Sequence, residues 1–212
     1  MSKTMELTKK KIITAIKVLW QKGYLAAGDG NFSFKDEEGV IWISPSGCRK
    51  CDMSPEDFVK LGHSDKASSE SLMHSKVYKA AEKAKVVFHA HPPTAIAYSI
   101  SNDEKNLPEN VVSELVLSAG TIPIVPYARP GSKDMGDQLE PFLPDSRILV
   151  LKHHGALTWG ESVDEALNGM ERLEHSCEIF WKAKTMGKVQ ELPEGELEWL
   201  KEKRKSLGDK IL

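Results

Sequence analysis

Cysteine is scarce. Cys48, Cys51 and Cys177 are the whole supply in 212 residues, an odd set that builds no disulfide framework and fits a reducing compartment. Cys48-Arg49-Lys50-Cys51 has C-x-x-C spacing, but no second pair follows to make a zinc ribbon. It comes after the turn Ser44-Pro45-Ser46-Gly47 instead of opening a helix as a redox motif does, so we read two loop thiols. No apolar run approaches twenty residues, which excludes a membrane-spanning helix, and Met1-Ser2-Lys3-Thr4 lacks the apolar centre of a signal peptide. A cytoplasmic location is therefore expected. An excess of one charge is missing too: 29 Lys and Arg face 31 Asp and Glu, so neither a nucleic-acid surface nor a basic membrane face is indicated. The expected partner is a small molecule.

What is present is enough for a sizeable core: 40% of the residues are hydrophobic, and the length suits one domain over 1–212, with a charged helical tail from about residue 188. Periodicity and caps predict helices over 6–22, 54–61, 70–83 (capped by Ser69), 94–100, 132–142, 162–186 and 193–205. Strands are predicted near 31–34, 40–43, 86–91, 121–126 and 147–151, with a further run at 156–159 after a turn at Gly155; 114–119 reads as either helix or strand. No regular strand-helix rhythm of a doubly wound sheet appears, so a mixed or antiparallel sheet covered by helices is expected.

The chemistry gathers at strand ends. In His89-Ala90-His91 the two imidazoles are i and i+2, on one face of a strand. Lys152-His153-His154-Gly155 ends another strand, and His154 folding back completes a three-histidine site that leaves a metal one open position. Neighbouring strand residues point to opposite faces, so His153 is assigned to the core or to the ion's surroundings. Glu70, in Ser68-Ser69-Glu70, sits at a helix start, where it is either an ordinary first-turn glutamate or a general base beside the metal. Gly28-Asp29-Gly30-Asn31-Phe32-Ser33 has the wrong spacing for a dinucleotide fingerprint and no P-loop lysine. With Ser44-Pro45-Ser46-Gly47 and Ser68-Ser69 it offers three loops that can converge on one anion without a permanent positive charge.

In that order, Gly30-Asn31-Phe32-Ser33, Ser44-Pro45-Ser46-Gly47, Ser68-Ser69-Glu70, His89-Ala90-His91 and His153-His154-Gly155 resemble the class II aldolase and adducin head family over about residues 6–186. L-fuculose-phosphate aldolase is the best likeness among its members. The resemblance implies a three-layer α/β/α sandwich around a mixed, mainly antiparallel sheet, assembled as a homotetramer. It implies one zinc per subunit on His89, His91 and His154, other divalent metals being acceptable, and Glu70 as acid/base. Asn31, Ser46, Gly47, Ser68 and Ser69 match the phosphate pocket, with Gly28 standing where the aldolase commonly has threonine, so that a backbone N–H substitutes for the hydroxyl.

The implied reaction is retro-aldol cleavage of a sugar 1-phosphate to dihydroxyacetone phosphate and an aldehyde. Glu114 stands near the place of an aldolase tyrosine; as an acid it would suit the family's methylthioribulose-phosphate dehydratase, one alternative beside other phosphosugar lyases or epimerases. Tyr127 and Arg129 are candidates to reach substrate from a neighbouring subunit. A non-catalytic adducin-like head is the remaining alternative.

Overall fold

The computed structural model describes residues 2–143 and 145–212. The first helix, α1 (Lys3–Gln21), starts earlier than its apolar stripe because the Ser2 hydroxyl accepts the Met5 N–H; Ile12, Ile16 and Leu19 are its buried side. β1 (Asn31–Lys35) and β2 (Ile41–Ile43) form the expected antiparallel hairpin. Asp36 closes it by accepting the N–H groups of Glu38, Val40 and the Trp42 indole.

The expected helix over 54–61 does not form. Ser54 and Asp57 make a capping box, but the helix it opens is one 3₁₀ turn, Pro55–Asp57, after which β3 (Val59–Lys60) pairs antiparallel with β2. Phe58 is buried against the Phe34 ring and Val59 lies opposite Ile43. A cap is a local signal, and here sheet pairing beyond it wins.

Helix α2 (Ser71–Ala80) is shorter than predicted at both ends. Glu70 flanks its first turn, the Ser68 hydroxyl and not that of Ser69 accepts the Glu70 N–H, and Ala81 turns extended. Then follow β4 (Val86–Ala90), α3 (Pro93–Ser101) and α4 (Ser113–Ala119), the last resolving the ambiguous stretch as helix. β5 (Ile124–Val125), α5 (Lys133–Leu139), β6 (Ile148–Leu151), β7 (Gly155–Gly160), α6 (Val163–Met186) and α7 (Glu196–Leu207) complete the chain. No described helix is long and apolar enough to cross a membrane.

The strands build one seven-stranded sheet in the order β3-β2-β1-β4-β7-β6-β5, antiparallel except for the β5–β6 pair. Alternation along the strands splits the core in two. Phe32, Phe34, Phe88, Val150 and Ala156 pack with α1, α3 and α6, while Val87, Leu149, Leu157 and Trp159 pack with α2 and α5 on the opposite face. The result is an α/β/α sandwich around a mixed, mainly antiparallel sheet.

One buried contact holds the segment after β4. Pro92 and Pro93 leave α3 without a side-chain cap of its own, and Glu174 of α6 reaches in to accept the N–H groups of Thr94 and Ala95 at 2.8 and 2.9 Å. Removing that carboxylate strands two donors in a largely dry environment, so Glu174→Ala should cost about 2–3 kcal/mol. Urea denaturation is expected to show a lowered midpoint at constant m-value, with Glu174→Gln losing less.

Candidate metal centre

β1, β4 and β7 lie side by side, and their register puts Asn31 beside His89 and His89 beside Leu157. His89 is the penultimate residue of β4 and His91 follows the strand end, both on the face that α2 covers. His154 comes from the turn between β6 and β7, not from a strand. His153 lies in the same turn with φ 61°, so the alternation argument fails for this pair and its ring goes to the exposed side, 6.1 Å from the Tyr127 ring, instead of into the core. Gly155 makes room for the cluster: a Cβ there would stand 2.6 Å from the Ala90 carbonyl, 2.7 Å from the His91 ring and 2.9 Å from the His89 ring.

The three imidazoles offer nitrogens that all lie within 4.8 Å of one another. Their hydrogen bonds assign the protons on two of them. His89 Nδ1 is 2.9 Å from the Ala156 carbonyl and must donate to it, and His91 Nδ1 donates to Asp29 at 3.1 Å. Burial pushes His89 down to about 3 against the pull of Glu70, and pushes His91 down as well. Both Nε2 atoms are then bare acceptors, and they face each other across 3.1 Å.

Glu70 adds more negative charge at the same point, with its two oxygens 3.3 Å from His89 Nε2 and 3.2 Å from His154 Nε2. Burial would raise this carboxyl, but His154, His89 and the Asn31 amide outweigh it and hold it well below the usual carboxylate range. Metal–nitrogen bonds of about 2.0–2.1 Å in a tetrahedron put ligand atoms about 3.3 Å apart. Three contacts, of 3.1, 3.2 and 3.3 Å, match that edge, and the imidazole nitrogens as a set lie within 4.8 Å, so the three histidines are a donor set of the kind that holds a divalent cation.

The loops read as an anion cradle do lie together. Ser46 N–H donates to the Lys66 carbonyl, tying the second loop to the third, and the space beside Gly131 abuts Ser69. Gly28, Ser46, Gly47 and Ser69 are exposed at the rim, while Asn31 and Ser68 are buried behind it. A cation is built in after all: Lys50, 3% exposed, donates to the carbonyls of Gly28 and Cys48 and clamps the first two loops.

Comparison with known proteins follows the same lines. The family described as class II aldolase and adducin N-terminal domain matches residues 10–181. The chain belongs to that family. It is 30% identical over 170 residues to a 3-oxo-tetronate 4-phosphate decarboxylase of Escherichia coli (strain K12), covering 76% of this chain and 80% of that protein. It is also 30% identical over 213 residues to a 5-deoxy-D-ribulose 1-phosphate aldolase of Bacillus thuringiensis, covering 96% and 98%. The crystal structure of L-fuculose-1-phosphate aldolase from Thermus thermophilus superposes with a TM-score of 0.77 at 25% identity, over 84% of this chain and 95% of that one. Members of this family that are aldolases of class II depend on a metal.

Glu70, His89, His91, His154 and Asn31 thus meet at one point, with Ser68 at their back. Glu114 stands apart. It is exposed in the first turn of α4, accepts from the Ser113 hydroxyl, and among the described residues makes no hydrogen bond or ion pair with Glu70 or the three histidines. Asp29 and Lys50 escaped the sequence reading because a loop aspartate and a lysine between two cysteines carry no periodic signal; only folding shows what they touch. Cys48 lies in the loop after β2, whereas Cys51 falls in a single 3₁₀ turn, Lys50–Asp52.

Metal analysis after supplementation and desalting checks the ligand set. His91→Ala and His154→Ala should retain less than about one tenth of an ion per chain, and Asp29→Asn should weaken affinity by about 10–100-fold through the freed His91 ring. Gly155→Ala should also lose metal, whereas Cys48→Ser and Cys51→Ser keep it; equal loss in the cysteine variants would overturn the assignment.

Proposed function

We propose that the protein is a zinc-dependent lyase that cleaves a short ketose 1-phosphate by a retro-aldol reaction, releasing dihydroxyacetone phosphate and an aldehyde. The observation that carries this reading is an ionised carboxylate, Glu70, wedged among three metal-type histidines at the edge of a backbone-rich cradle. Three imidazoles suit zinc while also accepting cobalt, manganese or iron. A divalent ion on His89, His91 and His154 supplies Lewis acidity toward the carbonyl and hydroxyl oxygens of the sugar.

The chain's own groups do the rest. Gly28, Ser46, Gly47 and Ser69 present N–H and O–H donors at the rim to a phosphate, with Lys50 behind them adding positive potential. When the C–C bond breaks, its electron pair stays on the carbon beside the carbonyl, and the departing carbon loses its hydroxyl proton as it becomes an aldehyde. Glu70 takes that proton and delivers it to the carbon holding the pair. Asn31 holds one Glu70 oxygen, at 2.6 Å, and so orients the carboxylate.

Near full-length likeness to a 5-deoxy-D-ribulose 1-phosphate aldolase puts that sugar ahead of L-fuculose 1-phosphate as the first substrate to test. A second reading, decarboxylation of a 3-oxo acid phosphate, is supported by the other curated relative; loss of CO2 also leaves an electron pair beside a carbonyl, so the same site serves both. Dehydration requires an acid at the leaving hydroxyl, and the exposed Glu114 does not supply one from within the same chain. The histidine cluster argues against a purely adducin-like role. Assembly as a cytoplasmic homotetramer would bring the exposed Tyr127, with Arg129, to a neighbour's site.

Metal-loaded protein is to be incubated with 5-deoxy-D-ribulose 1-phosphate, L-fuculose 1-phosphate and 3-oxo-tetronate 4-phosphate, with products identified individually. Dihydroxyacetone phosphate from a ketose phosphate is expected. Glu70→Gln should lower kcat by at least about 10²-fold, and Glu114→Gln should leave cleavage nearly unchanged. CO2 from the oxo acid without any retro-aldol product selects the second reading, water loss from a ketose phosphate selects the dehydratase, and silence on all three sinks the proposal.

A further inference from the structure

Behind Glu70 a file of buried polar side chains runs away from the metal centre along the face between β1 and α2. Ser33 and His74 are fully buried, and Asn31 and Tyr78 nearly so. The orientation of the Asn31 amide sets the direction of every other hydrogen bond in the file. The Asn31 amide nitrogen donates to Glu70 Oε2 at 2.6 Å, so Asn31 Oδ1 faces His74 Nε2, at 2.5 Å, as an acceptor. His74 therefore carries its proton on Nε2, and its bare Nδ1 accepts the Ser33 hydroxyl at 2.6 Å. With its own proton committed, Ser33 Oγ accepts from the Tyr78 hydroxyl at 2.9 Å, and the Tyr78 oxygen accepts the Val87 N–H. Every donor points toward Glu70.

The geometry that allows this is a match of two repeats. Asn31 and Ser33 are i and i+2 on β1, about 6.8 Å apart along a strand. Glu70, His74 and Tyr78 are successive i+4 positions on the α2 side, about 6 Å apart along a helix. Strand and helix advance together, and each residue of one falls between two of the other. A file like this is costly to bury, and apolar side chains of similar volume would pack as well or better.

We propose that Ser33, His74 and Tyr78 are positioning residues for Glu70: they fix which way the Asn31 amide faces, and through it hold one carboxylate oxygen in place for proton transfer. If the amide flips, an oxygen meets the carboxylate, two acceptors repel, and Glu70 is released from the site. Burial keeps His74 neutral, with its pKa near 4 despite Glu70, so the ring offers one donor and one acceptor. The kinetic consequence rests on the proposed proton-transfer role of Glu70; the bond directions do not.

Two measurements on the metal-loaded protein test this. Long-range ¹H–¹⁵N spectra of histidine-labelled protein should show His74 protonated at Nε2 with an acceptor-type Nδ1, and the Asn31 amide proton facing Glu70 should shift back toward the free-amide position in Ser33→Ala and Tyr78→Phe. The opposite tautomer, a doubly protonated ring, or an unmoved Asn31 resonance overturns the proposal without reference to any substrate. In the active enzyme, Tyr78→Phe and Ser33→Ala should each lower kcat about tenfold with KM and metal content unchanged. His74→Gln, which keeps a donor near the Nε2 position, should retain more activity than His74→Leu. If kcat per folded, metal-loaded chain is the same in Tyr78→Phe and Ser33→Ala as in the wild type, the file is structural only, even if thermal stability falls. A wild type that is silent on every sugar phosphate while showing the expected tautomer and Asn31 shifts rejects the aldolase reading and leaves the file standing.

Discussion

Two imidazole nitrogens without protons face each other across 3.1 Å at the end of β4, and a buried carboxylate leans against one of them. Acceptors do not approach like this unless the surrounding structure compels them, and most of the fold near the site serves that compulsion. β4 lies between β1 and β7 in the sheet, so its end cannot relax sideways. The Ala156 carbonyl fixes one ring and Asp29 the other. Gly155 clears the volume both rings need, and Glu174 pins the helix that starts two residues after His91. A divalent cation shared by these nitrogens would make so close an approach favourable, and the braces behind the rings fix their orientation toward it.

Much of this was legible in the sequence, and the reasons are physical. A strand has a period of two, so His-x-His in an apolar run fixes a shared face whatever the tertiary context. Helix caps and prolines placed α3 and α6 well for the same reason: their signals depend on the few residues beside them. The failures mark where local rules stop. Ser54 and Pro55 open a real helical turn, but pairing of Val59 with Ile43 ends it. Strand alternation sends His153 to the core or to the ion's surroundings; it lies instead in a turn with φ 61°, and its ring is exposed. Asp29, Lys50 and the polar file required knowing which elements touch, and no spacing within one segment reveals a contact between two.

Lys50 alters the electrostatic picture of the cradle most. The rim lacks a charged side chain among Gly28, Ser46, Gly47 and Ser69, which suggests recognition by dipoles alone. Lys50 instead spends its hydrogen bonds on two carbonyls behind the rim. Burial lowers its pKa, opposed by the Cys48 thiol, Asp29 and Glu70. An ammonium held this way adds positive potential without spending its donors on solvent, and it ties together the two loops that form the rim. Rigidity and charge come from the same side chain.

The metal centre and the polar file share one residue, Glu70: Oε1 faces His154 alone, while Oε2 accepts from Asn31 and also stands 3.3 Å from His89 Nε2. That division constrains what the carboxylate can do. Asn31 holds Oε2, and Oε1 stands 3.2 Å from His154 Nε2, whose ring Nδ1 is buried and has no hydrogen-bond partner among the described residues. His89 and His91 are each braced from behind and His154 is not. The least braced imidazole therefore stands beside the Glu70 oxygen that Asn31 does not hold, in a turn, where the backbone yields more readily than it does in β4.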